Sequence, residues 1–210
     1  MSVPRQALRA TREAGQQTRR SFLDAATRLF RDRGLRGVSL SDIAAEVGAF
    51  PSQVTYYFGG KEQLFVEAAC LDLLRLGSEM EAAARRAESQ AAMSTELLTL
   101  ALDSPAPLAF VEAQLLARQR PELRDMVQKT VGRLYAEGER AIRETLGERG
   151  WDLGTTPDVQ IRLFWANILG MSLEAAGTGE LFSRESTQAA LLTLFRPSQR
   201  TAPAKPPRPR

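Results

Sequence analysis

Residues 39–64 read SLSDIAAEVGAFPSQVTYYFGGKEQL, and the fold is decided here. Ser39 suits a helix N-cap and Asp42, three residues on, completes a variant of the capping box, so a short helix opens at this point and runs through Val47. Gly48 breaks it. After the turn Gly48-Ala49-Phe50, Pro51 fits the first position of a second short helix, where its missing N–H costs nothing. Gly59-Gly60 ends that helix near Phe58. Two short helices joined by a tight glycine-containing turn are the outline of a helix-turn-helix unit.

Helical spacing continues on both sides. Upstream, Gln17 to Arg33 carries Phe22, Ala25, Ala26, Leu29 and Phe30 on one face, and Gly34 supplies its stop. Phe22, Leu29, Ile43, Val47, Val54 and Phe58 are the expected core of this small head. Downstream, a long helix from Lys61 to about Ala87 buries Leu64, Phe65, Ala68, Leu71, Leu74 and Met80, and links head to body. Prolines 105, 121, 157 and 197 and several glycines then mark off roughly five further helices, with little period-two alternation that would signal strands. The stretch from Leu123 to Leu146 keeps one apolar stripe. Val159 to Ala176, by contrast, places Ile161, Leu163, Phe164, Trp165, Ile168, Leu169, Met171 and Leu173 almost all round a helix. Such a helix needs two burial surfaces. One is its own core; a second copy of the chain, together with a last helix at about 183–195, serves as the other, which predicts an isologous homodimer.

The fold class expected is therefore all-α: an N-terminal three-helix domain with a helix-turn-helix, and a C-terminal helical bundle. The division is a flexible basic arm over 1–17, the head over 18–65, the body over 66–196, and a disordered Pro/Arg-rich tail over 197–210.

The residues of the head add a family likeness. Phe22, Ala25, Ala26, Leu29, Phe30 and Gly34, then Asp42-Ile43-Ala44, Gly48, Tyr57-Phe58 and Lys61-Glu62-Gln63-Leu64 stand at the spacing of the TetR/AcrR regulators, which the chain resembles over residues 18–66. The resemblance implies a helical homodimer that binds a palindromic double-stranded operator through its two heads, most often as a repressor. It also implies a variable body that accepts a small-molecule effector, here unidentified. The second short helix, from Ser52, is then the one that enters the major groove, with Ser52, Gln53 and Thr55 as candidates for base readout and Tyr56 for a base or phosphate contact. Ser41, Tyr57 and Lys61 match positions that face DNA or hold phosphates, and Arg19 and Arg20 are placed to follow the backbone. Two departures from the family pattern stand out: Phe50 replaces a polar N-cap, and Thr55 replaces a common tyrosine.

Composition agrees with a polyanion partner and removes other chemistries. The 210 residues carry a formal charge of +3, but residues 1–20 hold five Arg against one Glu and residues 197–210 hold three Arg and one Lys with no acid. The basic character lies at the ends and the middle is mildly acidic. There is no histidine and one cysteine, Cys70, so His-dependent nucleophile systems, the usual zinc sites and an internal disulfide are excluded. No cofactor or metal is expected, and Cys70 reads as a small buried hydrophobe. No apolar run is long enough for a bilayer span, which leads to the expectation of a cytoplasmic protein without a membrane partner. In the body, Phe110, Leu115, Tyr135, Phe164, Trp165, Ile168 and Met171 are candidates to line an apolar pocket, with Glu174 able to meet a cationic or hydroxylated ligand. The rival readings are a DNA-binding regulator without a small-molecule effector and, more remotely, a small helical enzyme.

Overall fold

The computed structural model describes residues 5–151, 154–179 and 183–194. Among these, every regular element is helical: α1 (Arg5–Arg33), α2 (Leu40–Glu46), α3 (Pro51–Phe58), α4 (Lys61–Arg86), α5 (Gln90–Asp103), α6 (Ala106–Gln119), α7 (Arg124–Arg149), α8 (Pro157–Thr178) and α9 (Arg184–Leu194), with a single 3-10 turn at Pro121–Leu123. No helix among the described residues is long and apolar enough to cross a membrane. The expected all-α architecture is the observed one.

Local chemistry accounts for the helix ends in the head. Ser39 Oγ accepts the Asp42 N–H at 3.1 Å while Asp42 Oδ2 accepts the Ser39 N–H at 2.7 Å, closing the capping box of α2. The Ser39 hydroxyl, and after it the Ser39 N–H, hold the Asp42 carboxyl below its ordinary value. The cap is thus intact above the usual carboxylate range and is lost only as the pH falls through the lowered value. Gly48 and Gly59 take φ of 66° and 72°, the left-handed conformation that a side chain disfavours, and so turn the chain after α2 and α3.

The first helix starts earlier than Gln17. Residues 5–14 hold Ala, Arg, Gln and Glu with no glycine or proline, so nothing in them stops the helix, and the segment expected as a loose arm joins α1 from Arg5. The tail over 197–210, and Phe195 of the expected last helix, lie outside the described residues.

The head core forms as expected, with Phe22, Ile43, Val54 and Phe58 fully buried, Leu29 buried and Val47 packed half-buried against them. It runs without a break into the body core through α4, which packs against α1, α5, α6 and α7. On α4 the buried leucines below Leu64 are Leu73 and Leu76, while Leu71 and Leu74 are half-buried, because the helix is surrounded and not merely one-faced. Cys70 is buried beside Thr130; burial raises its thiol pKa, which keeps it protonated and unreactive. Gly138 lets α7 and α8 touch: a Cβ there would stand 2.4 Å from Ile161 Cδ1.

Three ion pairs fasten α1 to the first half of α4. Arg19 Nη2 meets Glu67 Oε2 at 2.6 Å, Arg75 Nη2 meets Asp24 Oδ1 at 2.6 Å, and the Arg31 guanidinium grips both carboxylate oxygens of Asp72. Asp72 is 5% exposed. The head and residues 61–75 of α4 are therefore coupled mechanically.

Candidate nucleic-acid interface and ligand cavity

Helix α3 shows the two faces that its sequence demands. Val54 and Phe58 point into the head core; Ser52, Gln53, Thr55 and Tyr56 are exposed on the other side, and Ser41 is exposed on α2. Tyr56 is 83% exposed and Phe50, in the turn before α3, is 75% exposed. Two large aromatic side chains thus stand bare beside the polar residues of this surface.

Other expected contact residues have partners inside the protein. Phe50 has no side chain that can cap, and Gln53 does so instead: its Oε1 accepts the Phe50 N–H at 3.1 Å. That leaves the Gln53 amide N–H2 free to donate, while a bidentate pairing with adenine would have to break the cap. Lys61 Nζ donates to the Val38 carbonyl at 3.0 Å and closes the loop before α2. Arg19 is held twice, by Glu67 and by the Phe58 ring, whose centroid lies 4.6 Å from its guanidinium carbon. Arg20 is exposed. Tyr57 is half-buried, with Phe22 and Tyr56 rings at 5.9 and 5.2 Å and its hydroxyl directed to Gly15 of α1, where a Cβ would lie 3.8 Å away. The sequence pattern separated the exposed face of α3 from its buried one; the partners of Arg19 and Lys61 lie 48 and 23 residues away and depend on packing, whereas the Gln53 cap is local to Phe50.

In the body, a cavity of about 120 Å³ opens between α4, α5, α7 and α8. Helix α4 contributes Gly77, Met80, Glu81 and Ala84; α5 contributes Met93, Ser94, Leu97 and Leu98. Leu134, Glu137, Gly138, Ala141, Ile142 and Thr145 of α7 and Gln160, Ile161, Phe164 and Trp165 of α8 complete it. Phe164 and Trp165 meet edge to face at 5.3 Å.

Of the eight pocket candidates, Phe164 and Trp165 line this cavity. The other six stand elsewhere. Phe110 and Ile168 are completely buried in the core, Met171 is half-buried against it, Leu115 and Glu174 are exposed, and Tyr135 is half-buried beneath the Arg162 guanidinium at 5.9 Å. The cavity's missed residues include small side chains at helical spacing: Ala84, Ala141 and Thr145 leave space, while Gly77 and Gly138 admit Leu134 and Ile161, which also line it. That signal was present in the sequence.

The charged groups at the cavity are matched within the protein. Glu81 accepts from Arg85 at 2.5 Å and from Arg140 at 3.1 Å, and Glu137 accepts from Arg133 at 2.7 Å. Glu144, and then Glu81, raise the Arg140 pKa further, so this guanidinium stays charged.

Comparison with known proteins agrees with both halves. The family model described as bacterial regulatory proteins, tetR family, matches residues 22–68, and that described as bacterial transcriptional repressor C-terminal matches residues 87–195. The HTH-type transcriptional regulator BetI of Brucella anthropi is 38% identical over 71 residues, which is 34% of this chain and 37% of that protein. BetI of Rhizobium meliloti is 42% identical over 48 residues, 23% of this chain and 24% of its own length. The likeness spans little more than a third of these curated relatives. Among solved structures, a candidate transcriptional regulator of Rhodococcus sp. RHA1 is 37% identical with a TM-score of 0.78, covering 87% of this chain and 97% of that one. A regulator of the same fold from Saccharomonospora viridis, solved in complex with choline, is 21% identical with a TM-score of 0.63, over 85% of this chain and 95% of that one.

Proposed function

This chain belongs to the TetR family of bacterial regulatory proteins, and from that premise we propose that it is a homodimeric transcriptional repressor, held on a palindromic operator by α3 and released when a small molecule fills the body cavity. The observation that carries this reading is the division of α4. Its first half is bound to the head by three ion pairs, and its second half, from Gly77 to Ala84, is a wall of the cavity. A ligand that favours one position of that wall moves the head with it. A dimer whose heads are no longer about 34 to 36 Å apart cannot fill successive major grooves. The Saccharomonospora viridis protein, solved in complex with choline, supports the premise that a protein of this fold takes a small molecule.

In this reading the head is the DNA-binding domain over 18–65 and the body the ligand and dimerisation domain over 66–196, with the continuous α4 joining them. Ser52, Thr55, Tyr56 and the Gln53 amide N–H2 read bases, with Phe50 placed to pack on a thymine methyl. Ser41, Tyr57 and Arg20 meet the backbone, while Arg19 and Lys61 mainly hold the head in shape and lend it charge.

Selecting duplexes from a random pool and titrating the winner by fluorescence anisotropy tests the reading. A palindrome is expected, with affinity falling steeply as salt rises, and Tyr56→Ala should weaken binding about tenfold without changing the melting of the protein. No enrichment over random duplex sinks it.

Helix α8 supplies the partner surface. Val159, Leu163, Ala166, Gly170, Leu173 and Gly177 are all exposed, and at 3.6 residues per turn they fall within about 40° of one line along the helix. A straight apolar stripe broken by small residues suits the same stripe of a second copy, since alanine and glycine admit the partner's leucines. Leu163→Asp is expected to turn a dimer into a folded monomer in sedimentation velocity, and to weaken operator binding at least a hundredfold by removing the second head. A variant that sediments as the parent does would place the interface elsewhere.

A further inference from the structure

We propose that the body cavity takes an uncharged ligand with a ring-sized apolar body and one hydrogen-bond acceptor directed at the Gln160 amide. This rests on the effector reading above and adds the chemical class.

Three features lead to it. The walls are mostly carbon, with Met80, Met93, Ile161 and the edge-to-face pair Phe164 and Trp165, and the volume of about 120 Å³ is near that of apolar protein cavities, roughly 150 Å³, that accept benzene. Two polar side chains set in these walls are almost wholly buried. Gln160 is 6% exposed, and its Oε1 accepts the Thr155 hydroxyl at 2.9 Å, which leaves the amide N–H2 with no acceptor among the described residues. Thr145, 7% exposed, lines the same space. No fully enclosed polar side-chain atom lacks a partner among the described residues, so the Gln160 N–H2 group, which no protein acceptor takes, borders the open space of the cavity, where a ligand acceptor can meet it.

The charge of the ligand follows from the carboxylates. Glu81 and Glu137 line the cavity, but Arg85 and Arg140 hold the first and Arg133 the second. An organic cation would have to displace an arginine to gain its counter-charge, and an anion would face both carboxylates. A ketone, ester, ether or amide needs neither.

The test uses three probes of one shape on the full-length protein: acetophenone, α-methylstyrene, which lacks the acceptor, and phenyltrimethylammonium. Binding at the cavity is followed by NMR chemical shifts of residues 77–84 and of the Gln160 side-chain amide, and operator affinity is followed in parallel by anisotropy. Acetophenone is expected to bind at least tenfold more tightly than either other probe, and Gln160→Leu should remove that preference over α-methylstyrene while retaining α-methylstyrene binding, which also reports that the variant folds. Ala141→Leu, which fills the space, should abolish binding of all three. If the cation binds at these residues as tightly as the ketone, or if Gln160→Leu leaves the preference intact, the ligand class is overturned while the effector reading stands. If acetophenone binds as described but operator affinity does not respond, the ligand class stands and the effector reading falls. Silence of the cavity resonances with all three probes overturns the proposal.

Discussion

Phe58→Ala is expected to cost the head about 3 to 5 kcal/mol and to abolish operator binding with it. Phe58 is the last residue of α3, 1% exposed, and sits in the one cluster that joins Phe22 of α1, Ile43 of α2, Val54 of α3 and Leu64 of α4. Truncation leaves a hole where these four helices meet. A head of this size cannot collapse around it without changing the crossing of α2 and α3. The ring also lies under the Arg19 guanidinium, so its loss frees the side of Arg19 that is not paired with Glu67. Denaturant unfolding followed by NMR of head amides is the proper readout, because both tryptophans, Trp151 and Trp165, are in the body and would not see the head melt alone. A loss below about 1 kcal/mol would mean that the head is stabilised chiefly by its attachment to α4 and not by its own core.

The contrast with Tyr56 separates folding from recognition. Two residues apart on α3, one ring is hidden and the other is 83% exposed, and the sequence already implied this. Short elements with strong punctuation, Ser39 and Asp42, Gly48, Pro51, Gly59, leave few ways to arrange the apolar positions between them. The sequence conveyed double use less directly. Gln53 was legible as a donor on the exposed side of α3 and, by its place three residues after Phe50, could also have been read as the cap that Phe50 lacks. Arg19 was legible as a cation near the head but not as a strap to Glu67, because those two groups lie 48 residues apart and meet only in the final fold.

The body was legible as helices and much less so as a site. Phe110, Ile168, Phe164 and Trp165 are alike in the sequence, yet the first two fill the core and the last two bound a cavity. Large apolar residues announce burial, and a cavity is announced by what is small. Ala84 and Ala141 recede from the space, while Gly77 and Gly138 let Leu134 and Ile161 close in on its sides. The two donors at its wall, Gln160 and Thr145, are ordinary helix residues until their burial is known.

In the proposed mechanism, transmission from that cavity to the head would depend most on the pair that is least exposed. Asp72 is 7% exposed at its side chain and Arg31 is 46% exposed, so the carboxylate has given up water and the guanidinium has not. Removal of the exposed partner should therefore do the greater harm: Arg31→Leu strands a buried charge and is expected to cost about 2 to 3 kcal/mol, below the value for a fully buried pair because Arg31 is half in solvent. Asp72→Leu removes the buried charge itself and should cost less than about 1 kcal/mol, and adding it to Arg31→Leu should restore most of the loss. Thermal and denaturant unfolding of the three variants measures the order directly. Costs below about 0.5 kcal/mol for both single variants would show that the pair contributes little from either side, and equal, larger costs would overturn the order. With the predicted order, the double variant becomes the decisive one for function, since it keeps the fold but lacks the tightest of the three fastenings between α1 and α4. Its operator affinity should be near that of the parent while its release by ligand is blunted, because a rod that turns must still be gripped by what it is to move.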